Sequence, residues 1–297
     1  MPCRHGIRRE DNSAVVLFGV SDLFEVLSRP PFRTTPLGNR HEPTNLAFHF
    51  RQVIQLFFYF LDMFQKKYRA FEQFLEGGAL AGPNPTAYFD IRTEANAAAQ
   101  GTLTNLNIIL DDIARIIPYV IFREPTPKQI LILTNGFSEM KDLLSEYSNT
   151  STVEQLRTLF ANLKDDASWW KIGFKYNIGL RSRFMHYPDC LVLSGSTPPG
   201  ESKMRPNFEL CRIGTPGYTV DFPAQLRMML HGLCEWLDKL DAIMVERLMA
   251  RAKEDGFEWH PEKCPAYFMP IVGSASVQAI PAEDFLYLPI CTAPSCT

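Results

Sequence analysis

The chain has 297 residues, 46% of them hydrophobic and 12% aromatic, which is ample for a packed core and marks a globular protein of one large domain or two. A net charge of −3 and a pI near 6.1 exclude a protein that coats nucleic acid over its whole surface, so any nucleic-acid site must be local. Seven cysteines, at 3, 190, 211, 234, 264, 291 and 296, form no C-x2-C pair, which excludes a disulfide framework or a zinc ribbon and reads as reduced thiols in a cytoplasmic protein.

The first residues, Met1 to Glu10, lack the apolar stretch of a secretory signal. Residues 1–43 read as an N-terminal extension: Ser13 to Val20 as a short strand, Asp22 to Leu27 as a helical turn, then a loop punctuated by Pro30, Pro31, Pro36 and Gly38. The fold class expected for residues 44–256 is mainly α, a helical bundle with a small β-hairpin, followed by an irregular C-terminal extension over 257–297.

The bundle opens with a helix from Thr44 to Glu76. Its stripe is Ile54, Phe57, Leu61, Phe64, Tyr68, Phe71 and Leu75, widened by Val53, Leu56, Phe60 and Met63 and ended by Gly77-Gly78. The longest apolar run, Val53 to Phe64, is too short to span a bilayer and contains Gln55 and Asp62, so no membrane partner is expected. A second helix runs from Thr93 to Ile117 on Leu103, Leu106, Leu110, Ile113 and Ile117, with Pro118 as its stop and Asp111 and Asp112 on a solvated face. Thr126-Pro127 starts a third helix that reaches Ser148 with Ile130, Leu133, Phe137, Met140, Leu144 and Tyr147 inward. Thr152-Val-Glu-Gln155 reads as a capping box for a short helix carrying Leu156, Leu159, Phe160 and Leu163.

A basic, aromatic-rich helix is then expected from Ser168 to Tyr187, stopped by Pro188. Between Ala167 and Pro188 there is no acidic residue, while Lys171, Lys175, Arg181 and Arg183 alternate with Trp169, Trp170, Phe174, Tyr176, Phe184 and Tyr187. The apolar stripe is Trp169, Ile172, Tyr176, Leu180 and Phe184, which puts Arg181 beside it. Arg181 and His186 are separated on a helix by roughly 7.5 Å of rise and about 140° of rotation, a gap that the long arginine side chain can close. His186 falls in the last turn, where the macrodipole favours an imidazolium. An arginine that clamps a phosphate beside a histidine that moves a proton is a minimal kit for metal-free RNA cleavage.

Arg181-Ser-Arg-Phe-Met-His186 resembles the R-x4-6-H motif of the HEPN superfamily, helical-bundle proteins that include many RNases of prokaryotic defence and toxin systems. The chain has Ser182 where many members carry Asn, Asp or His. The resemblance implies a catalytic pair of Arg181 and His186, a homodimer in which two motifs form one composite site, and no cofactor. It also implies a pairing with an antitoxin or other regulatory protein. On that reading Lys171, Lys175, Arg183 and Tyr187 contact RNA. Some family members supply a polar residue to the site from another helix, which is the alternative to a solvated face for Asp111 and Asp112; Asp165 is a candidate accessory acid, although capping of the helix start accounts for it as well. The alternative function is a non-catalytic helical RNA-binding or protein-interaction module, in which Arg181 and His186 only satisfy end carbonyls of their helix.

Cys190 to Ser194 and Asn207 to Ile213 form the expected hairpin, and Pro223 opens the last long helix, to Glu254, on Leu226, Leu230, Leu233, Leu237, Leu240 and Met244. The tail carries too many prolines for a long helix, and one or two strands are expected in it. Its only close His/Cys pair, His260 and Cys264, reaches a metal-ligand set only if Cys291 and Cys296 join it, and no metal is expected. There is no P-loop, Gly-rich nucleotide fingerprint, G-x-S-x-G or H-E-x-x-H.

Overall fold

The structure, a computed structural model, describes residues 6–10, 13–17, 27, 43–77, 85–126, 129, 136–165, 168–174, 179–185, 190–197, 200, 203–211, 219–254 and 268–270. In chain order these form β1 (Gly6–Glu10), β2 (Ser13–Leu17), α1 (Pro43–Glu76), α2 (Pro85–Ile121), a 3-10 turn (Gly136–Glu139), α3 (Met140–Ser145) and α4 (Ser151–Asp165). They continue with α5 (Ser168–Gly173), α6 (Leu180–Met185), β3 (Cys190–Ser196), β4 (Arg205–Cys211), β5 (Thr219–Val220), α7 (Phe222–Glu254) and β6 (Phe268–Pro270). The described part is mostly helical, as the sequence implies.

Helices α1, α2 and α7 have 34, 37 and 33 residues and carry most of the core. α1 and α2 form a long antiparallel hairpin. From α1, Phe50, Ile54, Leu61, Phe64 and Phe71 are buried, and from α2 a small-residue face of Ala95, Ala98 and Ala99 gives way to Leu103, Leu106, Ile109 and Ile113. Small residues let the two backbones approach, and the large ones fill the space where they part. The N-terminus of α7 is capped by Asp221, whose Oδ1 accepts the Ala224 N–H at 3.0 Å.

Several helix limits differ from the sequence reading, each for a local reason. α2 begins at Pro85 and runs through Pro118. Proline deletes only its own N–H bond, and the turn beyond it closes because Phe122 N–H donates to Pro118 O at 2.8 Å, with Ile116, Ile117, Tyr119 and Val120 all buried. Thr126 makes the expected cap, its N–H donating to Gln129 Oε1 at 2.7 Å, but a helix unbroken to Ser148 does not form. Gly136 has φ +74°, which leaves helical space, and only the 3-10 turn and α3 follow it. α4 is capped by Thr150 and not by Thr152, since Thr150 Oγ1 accepts the Val153 N–H at 3.3 Å.

The expected single helix over 168–187 is two short ones, α5 and α6, with 175–178 outside the described residues. Each belongs to a different aromatic core. Trp169, Trp170 and Phe174 pack with Phe137, Phe160 and Trp236, at centroid separations such as 5.4 Å for Phe137–Trp170 and 5.8 Å for Trp169–Trp236. Phe184 instead joins Phe64, Phe208 and Phe222, with Phe184–Phe222 at 5.2 Å and Phe208–Phe222 at 4.9 Å. At Gly173 a Cβ would run into the Met229 sulfur of α7, so the close approach of α5 to α7 needs glycine there.

The hairpin is present and gains a third strand. β3 pairs antiparallel with β4 from Cys190↔Cys211 to Ser196↔Arg205, and β4 pairs with β5. In a second sheet β1 pairs with β2, and β2 with β6 of the C-terminal tail. Leu27 is helical and buried, while the rest of the Asp22–Leu27 turn lies outside the described residues. The four-phenylalanine cluster ties α1, α6, β4 and α7 together, and Phe222→Ala should cost about 3–5 kcal/mol in urea unfolding.

Candidate functional site

One face of α2 is polar in a way that positions α6. Asn96, Gln100, Thr104, Asn107 and Asp111 recur at spacings of four, four, three and four and so share one side of the helix. At one end Asn96 Oδ1 accepts the Leu193 N–H of β3 at 3.0 Å, and next to it Gln100 Nε2 donates to Phe184 O of α6 at 2.9 Å. At the other end Asn107 Nδ2 donates to Asp111 Oδ2 at 3.0 Å, while Asp111 Oδ1 accepts the Phe137 N–H at 2.8 Å. The left-handed Gly136 is what brings that N–H to the carboxylate, since a Cβ there would collide with Asp111 Oδ1.

Arg181 stands on the first turn of α6, beside this polar face. Leu180, Ser182 and Phe184 are buried around it, and its own Nε is buried without a hydrogen-bond partner among the described residues. Its charge acts on Asp111. Burial pushes the Asp111 carboxyl above its ordinary range, against the Phe137 N–H bond and the Arg115 and Arg181 cations, which pull it down. Arg181 is the weakest of the influences on Asp111, and no hydrogen bond or ion pair joins the two among the described residues, so they are neighbours at the junction of α2, α6 and the 3-10 turn without being bonded.

The other expected site residues divide. Lys171 on α5 and Arg183 on α6 are half-buried and each interacts with other groups of the chain. His186, Lys175 and Tyr187 lie outside the described residues, as do His260, Cys264, Cys291 and Cys296. Asp165 is the last residue of α4, and its side chain lies outside the described residues. Among the described residues no group of three His, Cys, Asp or Glu side chains is placed to hold a metal ion, and no helix is long and apolar enough to cross a membrane.

The solvated reading of Asp111 and Asp112 is overturned. The Asp112 side chain is 0% exposed; its Oδ2 lies 2.6 Å from His49 Nδ1 of α1, and its Oδ1 accepts from Arg115 Nη1 at 2.8 Å. Burial raises this carboxyl as well, with His49 and Arg115 opposing. Residues 111 and 112 thus belong to two neighbouring polar clusters, whose partners His49, Arg115, Asn107 and the Phe137 N–H the sequence reading did not name. A signal was available: apart from Asp111 the α2 stripe consists of amides and a hydroxyl and lacks Lys and Glu, the composition of a face that bonds to protein groups as well as to water.

No protein-family model, curated protein or solved structure matches the chain. Geometry and motif alone carry the functional reading.

The Asp111 environment sets a pH test. Because its folded pKa is raised, the stability linked to this group is fully present below its ordinary value of 3.8 and is lost as pH rises through the folded value. Asp111→Asn, which keeps an acceptor for Phe137 N–H, should flatten the fall of stability with pH above 3.8, measured as urea midpoints across the acidic range. Parallel curves for the two proteins would contradict it.

Proposed function

We propose that the protein is a metal-independent endoribonuclease of HEPN type, acting as a cytoplasmic homodimer, with Arg181 and His186 as its catalytic pair. The observation that supports this most directly is the placing of Arg181: the motif arginine stands where a polar face of α2 meets α6, its Nε unpartnered among the described residues, with its charge weakly felt by Asp111 of α2.

The chemistry asks little of the protein. His186 accepts the proton of the ribose 2′-hydroxyl as its oxygen attacks phosphorus; the P–O5′ bond breaks, and the departing 5′-oxygen takes up a proton. The products are a 2′,3′-cyclic phosphate and a 5′-hydroxyl. Arg181 offsets the charge that develops on the non-bridging oxygens. Lys175, Tyr187 and the accessible parts of Lys171 and Arg183 hold the strand. Such an activity belongs to a defence or toxin system and is held in check by an antitoxin or regulatory partner.

A second reading rests on Asp111 itself. If the Arg181 charge serves only to offset that carboxylate, while the Gln100 bond to Phe184 O fastens α6 to α2, the protein is a non-catalytic helical module that binds RNA or another protein.

RNA cleavage in excess chelator separates the two. The wild type should cut, and His186→Ala and Arg181→Ala should each cut about 100-fold or more slowly. Binding of RNA without cleavage, or undiminished cleavage by both variants, would select the non-catalytic module.

A further inference from the structure

We propose that His49 and Arg115, both fixed by Asp112, form a phosphate-binding site on the α1/α2 face of the bundle. This goes beyond the RNase reading and stands on different side chains. One buried carboxylate uses both of its oxygens: Oδ2 meets His49 Nδ1 at 2.6 Å, and Oδ1 accepts from Arg115 Nη1 at 2.8 Å. The two oxygens of a carboxylate are neighbours, so imidazole and guanidinium are held side by side.

Neither side chain is consumed by this arrangement. His49 is 49% exposed and Arg115 27%, against 0% for Asp112. The carboxylate is therefore behind the two cations and out of a ligand's reach, while His49 Nε2 and the outer guanidinium nitrogens carry no bond to any described residue. With His49 protonated the trio carries a net charge of +1, and its free donors are already oriented, which removes most of the ordering cost of gripping a tetrahedral anion.

The surroundings fit the same ligand. Asn45 and Gln52, one turn on either side of His49 on α1, are both exposed and add neutral donors. α1 has no acidic residue before Asp62. Phe48, 63% exposed, offers a ring beside the site on which a base can stack.

The test reads the imidazole directly. The ring resonances of His49, assigned by their loss in His49→Gln, are followed while inorganic phosphate is added at constant ionic strength, with chloride as the control. Phosphate should shift them saturably and chloride should not; Arg115→Met should abolish the shift, and Arg115→Lys should keep it at lower affinity. Absence of a phosphate shift, an equal response to chloride, or an unchanged response in Arg115→Met would overturn the proposal. A 2′-O-methyl oligonucleotide, which cannot be cleaved by its own sugar, identifies the source of the phosphate. Binding at least tenfold tighter than inorganic phosphate, and lost in Arg115→Met, assigns a strand phosphodiester; equal or weaker binding assigns a small phosphate ligand. The phosphate shift should persist in the Arg181→Ala, His186→Ala double variant, so failure of the RNase reading would leave it standing.

Discussion

Ring packing among Phe64, Phe184, Phe208 and Phe222 is the constraint on which the arrangement of this protein depends. The rings come from α1, α6, β4 and α7, so a single cluster fixes a long helix, a short helix, a sheet and the last long helix against one another. Each ring contact contributes about 0.5–1.5 kcal/mol beyond the area it buries. The six residues of α6 fall well short of the roughly 12 that a helix needs to be even marginally stable alone in water. Its conformation, and with it the position of Arg181, is borrowed from Phe184 and from the Gln100 bond to Phe184 O.

The long helices were legible in the sequence because they are set by summed apolar periodicity. α1 and α7 begin and end within a residue of the bounds read from the sequence, Thr44–Glu76 and Pro223–Glu254. The breaks were not legible, because they depend on partners distant in sequence. Gly136 leaves helical space to bring a backbone N–H to Asp111, 26 residues upstream along the chain from Phe137. Gly173 makes room for Met229, and neither requirement is visible in a window around the glycine. Pro118 failed as a stop for the converse reason: the apolar residues on either side are buried, and their packing outweighs one missing hydrogen bond.

The site was half legible. The motif named Arg181 from residue type and spacing, and the structure sets it in a polar junction. Asp111 and Asp112 read most simply as solvated surface, because the aspartate pair itself carries no local mark of burial and the neighbouring amides are the only hint. What distinguishes Asp112 is a histidine 63 positions away, and that relation exists only once α1 and α2 have paired.

Arg251 ties synthesis to stability in a way the long helices alone do not. Nearly inaccessible at the end of α7, it donates through Nη1 to the carbonyls of Tyr119, Val120 and Phe122, closing the end of α2. Those carbonyls leave the ribosome 132 residues ahead of the arginine that bonds Tyr119 O. At about 5–20 residues per second, the nascent hairpin of α1 and α2 waits roughly 7–26 s with its last turn open. Over that interval the apolar side meant for α7 has no partner within the chain, and the growing chain is a substrate for holding chaperones until α7 arrives.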